Sequence, residues 1–557
     1  MSQRSGAETL AVMLSEYGVT HVFQVPAVLR RTMVEIERLT AIKRIRPHGE
    51  KPAAYMADGY ARASRRPGVC MAQVVGALNL CAGLRDAALA HSPVIALTGG
   101  RDPSTKFRRV YQELDDVPAF ETVTKWNATV DDPERIGDML RQAFRMATSG
   151  SPGPVHLQLA GNEGQLDAGA VEAEALSEPR YAAVPPHRPA PSEAADVDRA
   201  VELLRSARRP VLVAGGGTRW SQAGPALVEL AERLDIPVAT TLNGKDCIAG
   251  GHGLCVGVVG TYSRASANRI VGAADVVCYV GSETGSMSTH FWQVPPPGTA
   301  TIQVDIDAEA IGRNYPAAVG LCGDAATVIG MMLARAGEPM WRPEWTGTAA
   351  QAVADWRAGH PELLSDAVPV RPERICSELS DHTPSDAIVV VDTGHAGMWM
   401  GGMFDVAEGQ DYLRSAGHLG WAFPAALGAK CAQPDRPVVC FTGDSGFWYH
   451  VAEIETAVRW GINAVTVVNN NASGNQSKRG FDRAYGGTQT ERGASELWKF
   501  KMVDFASLAA EIGALGLRVT KPADFAPALA QALESGRPAV IDVVTDIDAL
   551  APLAVAG

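Results

Sequence analysis

Two apolar, β-branched runs at 438–441 and 464–468 flank a stretch with helical spacing at 450–460, in which Val451, Ile454 and Val458 share one face. Strands joined by such a crossover lie parallel, and the crossover is right-handed. The loops that then matter are those at the carboxyl ends of the strands, where open parallel sheets bind their ligands. Gly443, Asp444, Ser445 and Gly446 follow the first run, and Asn469, Asn470 and Asn471 close the second. One carboxylate, one amide oxygen, a backbone carbonyl and two phosphate oxygens suit magnesium. The glycine-rich turn and helix start offer N–H groups to a diphosphate. The plain alternative is that Asp444 caps a helix and the asparagines shape a loop.

The length of 557 residues implies about three to four domains. A net charge of −12 argues against a general nucleic-acid binder. The nine cysteines are scattered, without CxxC or zinc spacing, and Cys70, Cys81, Cys278 and Cys440 sit in apolar runs. Buried reduced thiols fit this better than a disulfide framework. The N-terminal apolar stretch is too short for a signal peptide, and no apolar run is long enough to span a membrane. The expectation is a soluble, cytoplasmic α/β protein.

Strand-like and helix-like stretches alternate throughout, which calls for parallel sheets with helices on both faces. A first segment, 1–165, carries helices over 5–17, 51–63 and 77–90 and strands over 20–25, 69–75, 94–98 and 155–159. A proline-rich linker, 166–191, leads to a second segment, 192–338, with strands over 210–214, 237–241, 276–280 and 301–305 and a helix over 225–234. There Gly215, Gly216 and Gly217 follow a strand, a weak signal for a diphosphate. Asp305 and Asp307 lie in a turn that either faces a ribose and adenine or caps a helix. A second linker, 339–369, precedes a third segment, 370–557, with a helix over 372–379 and strands over 388–391 and 539–544. The fold expected is three successive doubly wound parallel-sheet α/β domains.

The GDS turn at Asp444, with NN some thirty residues on, resembles the thiamine-diphosphate-dependent decarboxylase and carboligase superfamily, on its acetolactate-synthase-like branch. The resemblance covers nearly the whole chain and implies pyrimidine-binding, middle and diphosphate-binding domains in that order. It implies thiamine diphosphate and Mg2+ as cofactors. Asp444 resembles the carboxylate ligand of the metal, Asn471 the amide ligand, with Asn470 as the alternative, and Ser473 the backbone ligand. Gly443, Ser445 and Gly446 would stand beside the phosphates. Glu50, before KPAAYMADGYAR, resembles the glutamate that hydrogen-bonds the aminopyrimidine and so makes the cofactor a carbanion. Without the resemblance, it reads as a helix N-terminal acid. Leu419, in AGHLGWAFPAALGAK, resembles the residue that wedges the cofactor into its bent form; otherwise it is a core leucine. Gly394 and Gly417 would let the backbone approach the cofactor. Gln112, in Tyr111–Gln112–Glu113, resembles a loop residue that reaches the active site.

The family's glycine motifs are altered at 23–27 and 74–76, and the middle segment has Gly281–Ser282–Glu283–Thr284–Gly285 in place of an arginine-rich turn, which argues against FAD. The turn at 217–222 faintly resembles the acyl-CoA branch, whose middle domain holds an adenine nucleotide. After the metal motif stand Gln476, Lys478, Arg479 and Arg483, a basic cluster suited to an anionic substrate, and Glu496, a candidate acid–base residue. A solvated loop and a capped helix are the alternatives. The expected function is a lyase or carboligase acting on a 2-oxo acid through an enamine. A 2-hydroxyacyl-CoA lyase or acyl-CoA decarboxylase stands second, and a non-catalytic cofactor- or nucleotide-binding homologue third. Glu50 and Asp444 lie in different domains, and in this family such residues meet across a subunit interface, so a homodimer or homotetramer is expected.

Overall fold

A computed structural model of the protein describes residues 4–172, 176–191 and 193–553. Residues 173–175 of the first expected linker, and residue 192, where the second segment is expected to begin, lie outside the described residues.

Three six-stranded sheets follow one another, each wholly parallel. The first holds β1 (His21–Gln24), β2 (Lys43–Ile45), β3 (Gly68–Ala72), β4 (Val94–Gly100), β5 (Trp126–Val130) and β6 (Val155–Ala160) in the order β2-β1-β3-β4-β6-β5. The second holds β7 (Pro210–Ala214), β8 (Val238–Thr240), β9 (Cys255–Val258), β10 (Val276–Val280), β11 (Ala300–Asp305) and β12 (Ala317–Cys322) in the order β9-β8-β7-β10-β11-β12. The third holds β13 (Ile388–Val391), β14 (Asp411–Arg414), β15 (Val438–Gly443), β16 (Val465–Asn470), β17 (Leu515–Val519) and β18 (Ala539–Val544) in the order β14-β13-β15-β16-β18-β17. The expected fold class is thus the one observed. The central strands are buried on both faces, which is why they read as unbroken apolar runs.

Several local expectations need correction. The strand expected over 69–75 stops at Ala72, and Val74–Gly76 forms a 3₁₀ turn whose first N–H goes to the Asn162 carbonyl at 3.0 Å. The helix expected over 450–460 begins only at Glu453, because a short helix, Asp444–Trp448, takes up the chain first. Tyr449 and His450 then turn back onto its carbonyls. The second linker contains a helix, Pro343–Ala358, with proline in its first turn. It buries Trp345 in the second sheet's domain, where Trp345 Nε1 donates to the Pro210 carbonyl at 2.9 Å, and Trp356 in the apolar core of the third unit.

The first and third units share one apolar core. Its seam is the crossing of α1 (Glu50–Ser64) with α2 (Ala422–Ala432). A Cβ at Gly59 would lie 2.0 Å from the Ala425 carbonyl oxygen, and one at Gly428 would lie 1.9 Å from that of Met56. Glycine at both positions lets the helix backbones touch. The middle unit is attached differently. Lys245 Nζ donates to the Gly401 carbonyl at 2.9 Å, and Arg264 reaches the Gly402 carbonyl and Asp405, each at 2.7 Å. Arg219 holds Asp246 at 2.8 Å and spans to Asp411 and the Arg62 carbonyl.

Candidate cofactor site

In the third sheet the strand order reverses between β13 and β15, and a crevice opens there at the carboxyl ends. Asp444 follows β15 and is 2% exposed. One carboxylate oxygen accepts the Ser445 N–H at 2.7 Å, and the other accepts the Ser473 N–H at 3.1 Å, across the end of β16. Burial pushes its pKa up to about 7. The pleat of β16 separates the three asparagines. Asn470 points away, its amide donating to the Asp542 carboxylate at 2.8 Å and the Val503 carbonyl at 2.9 Å. Asn469 and Asn471 are buried with Oδ1 atoms that accept no hydrogen bond. A buried carboxylate beside an unpartnered amide oxygen suits a hard cation completed by phosphate oxygens. Among the described residues, no group of three or more His, Cys, Asp or Glu could hold a metal unaided.

The remaining turns surround these groups. Gly394 takes a φ of 65°, and Gly417 and Gly420 take 154° and 85°. A Cβ at Gly417 or Gly443 would meet nothing, so the backbone there is open to a ligand. At Gly446 the missing side chain also makes room for Asp392, whose Oδ2 would lie 2.5 Å from a Cβ. Leu419 is half-buried on the turn between Gly417 and Gly420.

Glu50 opens α1 in the first unit, half-buried. It accepts from Asn79 Nδ2 at 3.2 Å and lies over Gly76, where a Cβ would come within 2.4 Å of Oε1. Gln112, at a φ of 64°, accepts from Gln73 Nε2 at 3.0 Å. Val75, Leu78 and Tyr111 are exposed on this side of the first unit. Within one chain, no hydrogen bond or ion pair among the described residues joins Glu50 or Gln112 to the Asp444 cluster. Glu496 stands apart on an exposed helix, Glu491–Leu497, paired to Arg492 at 2.9 Å. The basic cluster is partly engaged: Lys478 pairs with Asp548 at 2.7 Å, and Arg479 donates to the Ala551 carbonyl.

Sequence reasoning gave no role to two residues here. Asp392, which closes β13, accepts from Thr442 Oγ1 at 2.9 Å and from the Gly420 N–H at 3.1 Å, and burial pushes it up to about 7. His395 begins the helix His395–Met403 with both ring nitrogens buried and unpartnered, and burial lowers it to about 3. A histidine immediately after Gly394 was the available signal.

A cavity of about 580 Å³ adjoins the site, reaching from Thr393, Arg414 and Gly417 to Gly216, Glu283 and Asp305 of the middle unit. Gly215 and Gly217 press on Gly281, where Cβ atoms would come within 2.7 Å of its backbone, so close turn packing already accounts for these two glycines.

Three family profiles match the chain: the N-terminal TPP binding domain of thiamine pyrophosphate enzymes over 4–119, their central domain over 197–332, and their C-terminal TPP binding domain over 392–543. The chain belongs to the thiamine-pyrophosphate-dependent enzymes. Within them it is similar to a probable acetolactate synthase large subunit of Methanocaldococcus jannaschii, 32% identical over 97% of this chain and 92% of that protein. It is also similar to a glyoxylate carboligase of Escherichia coli O157:H7, 29% identical over 98% and 94%. Acetolactate synthase isozyme 2 large subunit of Escherichia coli K12 is 29% identical over 97% and 96%. This is a thiamine-diphosphate-dependent enzyme of acetolactate synthase and glyoxylate carboligase type. No helix among the described residues is long and apolar enough to cross a membrane.

Proposed function

We propose that the chain is a thiamine-diphosphate- and magnesium-dependent carboligase that joins a 2-oxo acid to a second carbonyl compound. The observation that carries this is the buried Asp444 carboxylate, stitched across two strand ends beside the unpartnered Asn471 oxygen. These two side chains and the Ser473 carbonyl would hold the cation, with the cofactor's diphosphate completing it. Gly417 and Leu419 would seat and bend the rings. When bound, the cofactor supplies a nucleophilic carbon that adds to a substrate carbonyl. Glu50 would hold a proton at the aminopyrimidine, and Gln112 would orient substrate.

Among the described residues, Glu50 makes no hydrogen bond or ion pair with its own chain's Asp444 cluster. We therefore place each site between two copies, Glu50 of one facing Asp444 of the other, in a homodimer or larger assembly. The unpaired cysteines support a reducing, cytoplasmic setting. In the middle cavity, Glu283, Asp305 and Asp324 line the wall against His91 and Arg414. That charge balance suits a hydroxyl-bearing ligand such as a ribose better than the diphosphate of FAD.

The test is turnover with thiamine diphosphate and magnesium, comparing pyruvate, glyoxylate and a 2-hydroxyacyl-CoA thioester. Glu50→Gln is expected to lower kcat by about 10²–10⁴-fold, the range of a positioned acid–base group, while calorimetry still detects cofactor binding. Undiminished turnover by this variant would overturn the reading.

A further inference from the structure

Resting on that reading, we infer that Asp86 is a positioning residue: a first-unit carboxylate that fixes the third-unit turn carrying Leu419. Asp86 lies in the helix Ala77–Leu89 and is fully buried. One of its oxygens accepts the Ala416 N–H at 3.0 Å. The other accepts the Gly417 N–H at 3.2 Å, the His418 N–H at 3.1 Å and the Ser415 hydroxyl at 2.8 Å. Three consecutive backbone N–H groups thus converge on one anion, the concave arrangement that backbone amides adopt around bound anions.

The charge is balanced from the same unit. Arg62 Nη2 donates to Asp86 at 2.7 Å, and Arg62 is itself gripped by Asp58 at 2.8 and 2.6 Å. Arg62 Nη1 also donates to the Arg414 carbonyl at 2.7 Å, just before the turn, and Trp421 Nε1 donates to Asp58 at 2.8 Å, just after it. On the far side, Gly420 is tied to Asp392. Leu419 therefore stands between two buried anchors, and neither is on the turn itself. The turn has little else: Gly417 is exposed, has open space around it and sits at a φ of 154°, and its local support is the Ser415 hydroxyl, which accepts the Gly417 N–H at 3.2 Å and donates to the His418 carbonyl at 2.9 Å.

A side chain that only glued the two units together would not require three successive amides of this one turn. The apolar α1–α2 seam already joins the units. An uncharged amide at position 86 would present its own N–H to one of those amides and leave it unpaired. The effect should fall on the backbone that sets the height of Leu419 in the site.

The experiment measures thiamine diphosphate affinity in the presence of magnesium by titration calorimetry, on the full chain. It covers wild type, Asp86→Asn, Leu419→Ala and the double variant, with near-ultraviolet circular dichroism of the bound cofactor as a second readout. Asp86→Asn is expected to weaken binding by about tenfold or more, as loss of charge-assisted hydrogen bonds implies, and to change the cofactor's dichroism. Its effect should largely vanish in the Leu419→Ala background, because both act through one turn. Fully additive effects would assign Asp86 to general packing and overturn the inference. If Asp86→Asn does not fold, Ser415→Ala, which removes one bond to the carboxylate together with that hydroxyl's contacts to the Gly417 N–H and the His418 carbonyl, should show the same shift in smaller measure; no shift in Ser415→Ala would then count against the inference. Failure of the wild type to bind thiamine diphosphate would instead strike the functional reading itself.

Discussion

The first and third sheets have the same strand order, and the middle sheet has another. The difference extends to how the units are joined. The first and third meet through an apolar seam in which helix backbones touch at Gly59 and Gly428, with the buried Asp58–Arg62–Asp86 network beside it. The middle unit meets them through Arg219, Lys245, Arg264 and the His91–Glu283 pair at 3.3 Å, beside an open cavity. Apolar burial is non-directional and tolerates no gap, whereas charged contacts fix orientation with little net stability. The units that carry the proposed chemistry are locked by shape, and the unit that borders it is latched by charge.

The largest expected effect tests the lock. Gly428→Val should put a side chain into the Met56 carbonyl and cost at least the ~3 kcal/mol of severe overpacking, seen as lost soluble yield or a large drop in melting temperature. A variant that melts like the wild type would show that the seam can part.

The latch should yield locally, with the loss confined to one unit. Arg219→Met leaves Asp246 buried without its partner, a change that typically costs about 3–5 kcal/mol. Scanning calorimetry should show the loss concentrated in the middle unit's transition, whereas Gly428→Val should disturb the other two.

The smallest effect is one of pH. Burial lowers Lys245 from its ordinary 10.5 to about 7. Below pH 7 the folded chain carries a buried charge at full penalty, and as pH rises from 7 to 10.5 the folded state releases that proton before the unfolded state does. Stability from this group therefore rises across that window. The melting temperature of Lys245→Met, relative to wild type, should be highest near pH 7 and fall toward pH 10. A flat difference would mean the amine is solvated.

Most strands were legible because parallel strands buried on both faces leave continuous apolar runs, as at Ile388–Val391 and Ala539–Val544. The helix Pro343–Ala358 was hidden behind flanking prolines and arginines, although Trp345, Ala349, Ala352 and Trp356 keep helical spacing. In the candidate site, Asp444, Asn471 and Glu50 stand out in the sequence by local motif chemistry. A run of three asparagines does not say which side chain faces which way; the strand pleat, which turns Asn470 toward Asp542, does. Asp86 was illegible for a different reason: its partners lie at 415–418, and no local pattern records a contact over such a separation. Glu496 was singled out by residue type alone, and its helix faces solvent.

The latch at Arg219, Lys245 and Arg264 also bears on how such chains change over time. Two of its acceptors, the carbonyls of Gly401 and Gly402, are main-chain atoms that survive any substitution. A replacement central module has only to supply matching cations for these carbonyls and for Asp405 and Asp411 in order to dock. The latch thus asks less of a central module's exact sequence than the α1–α2 seam asks of its two helices. A lineage could acquire or discard a ligand there by recombination without redesigning the seam between the first and third units.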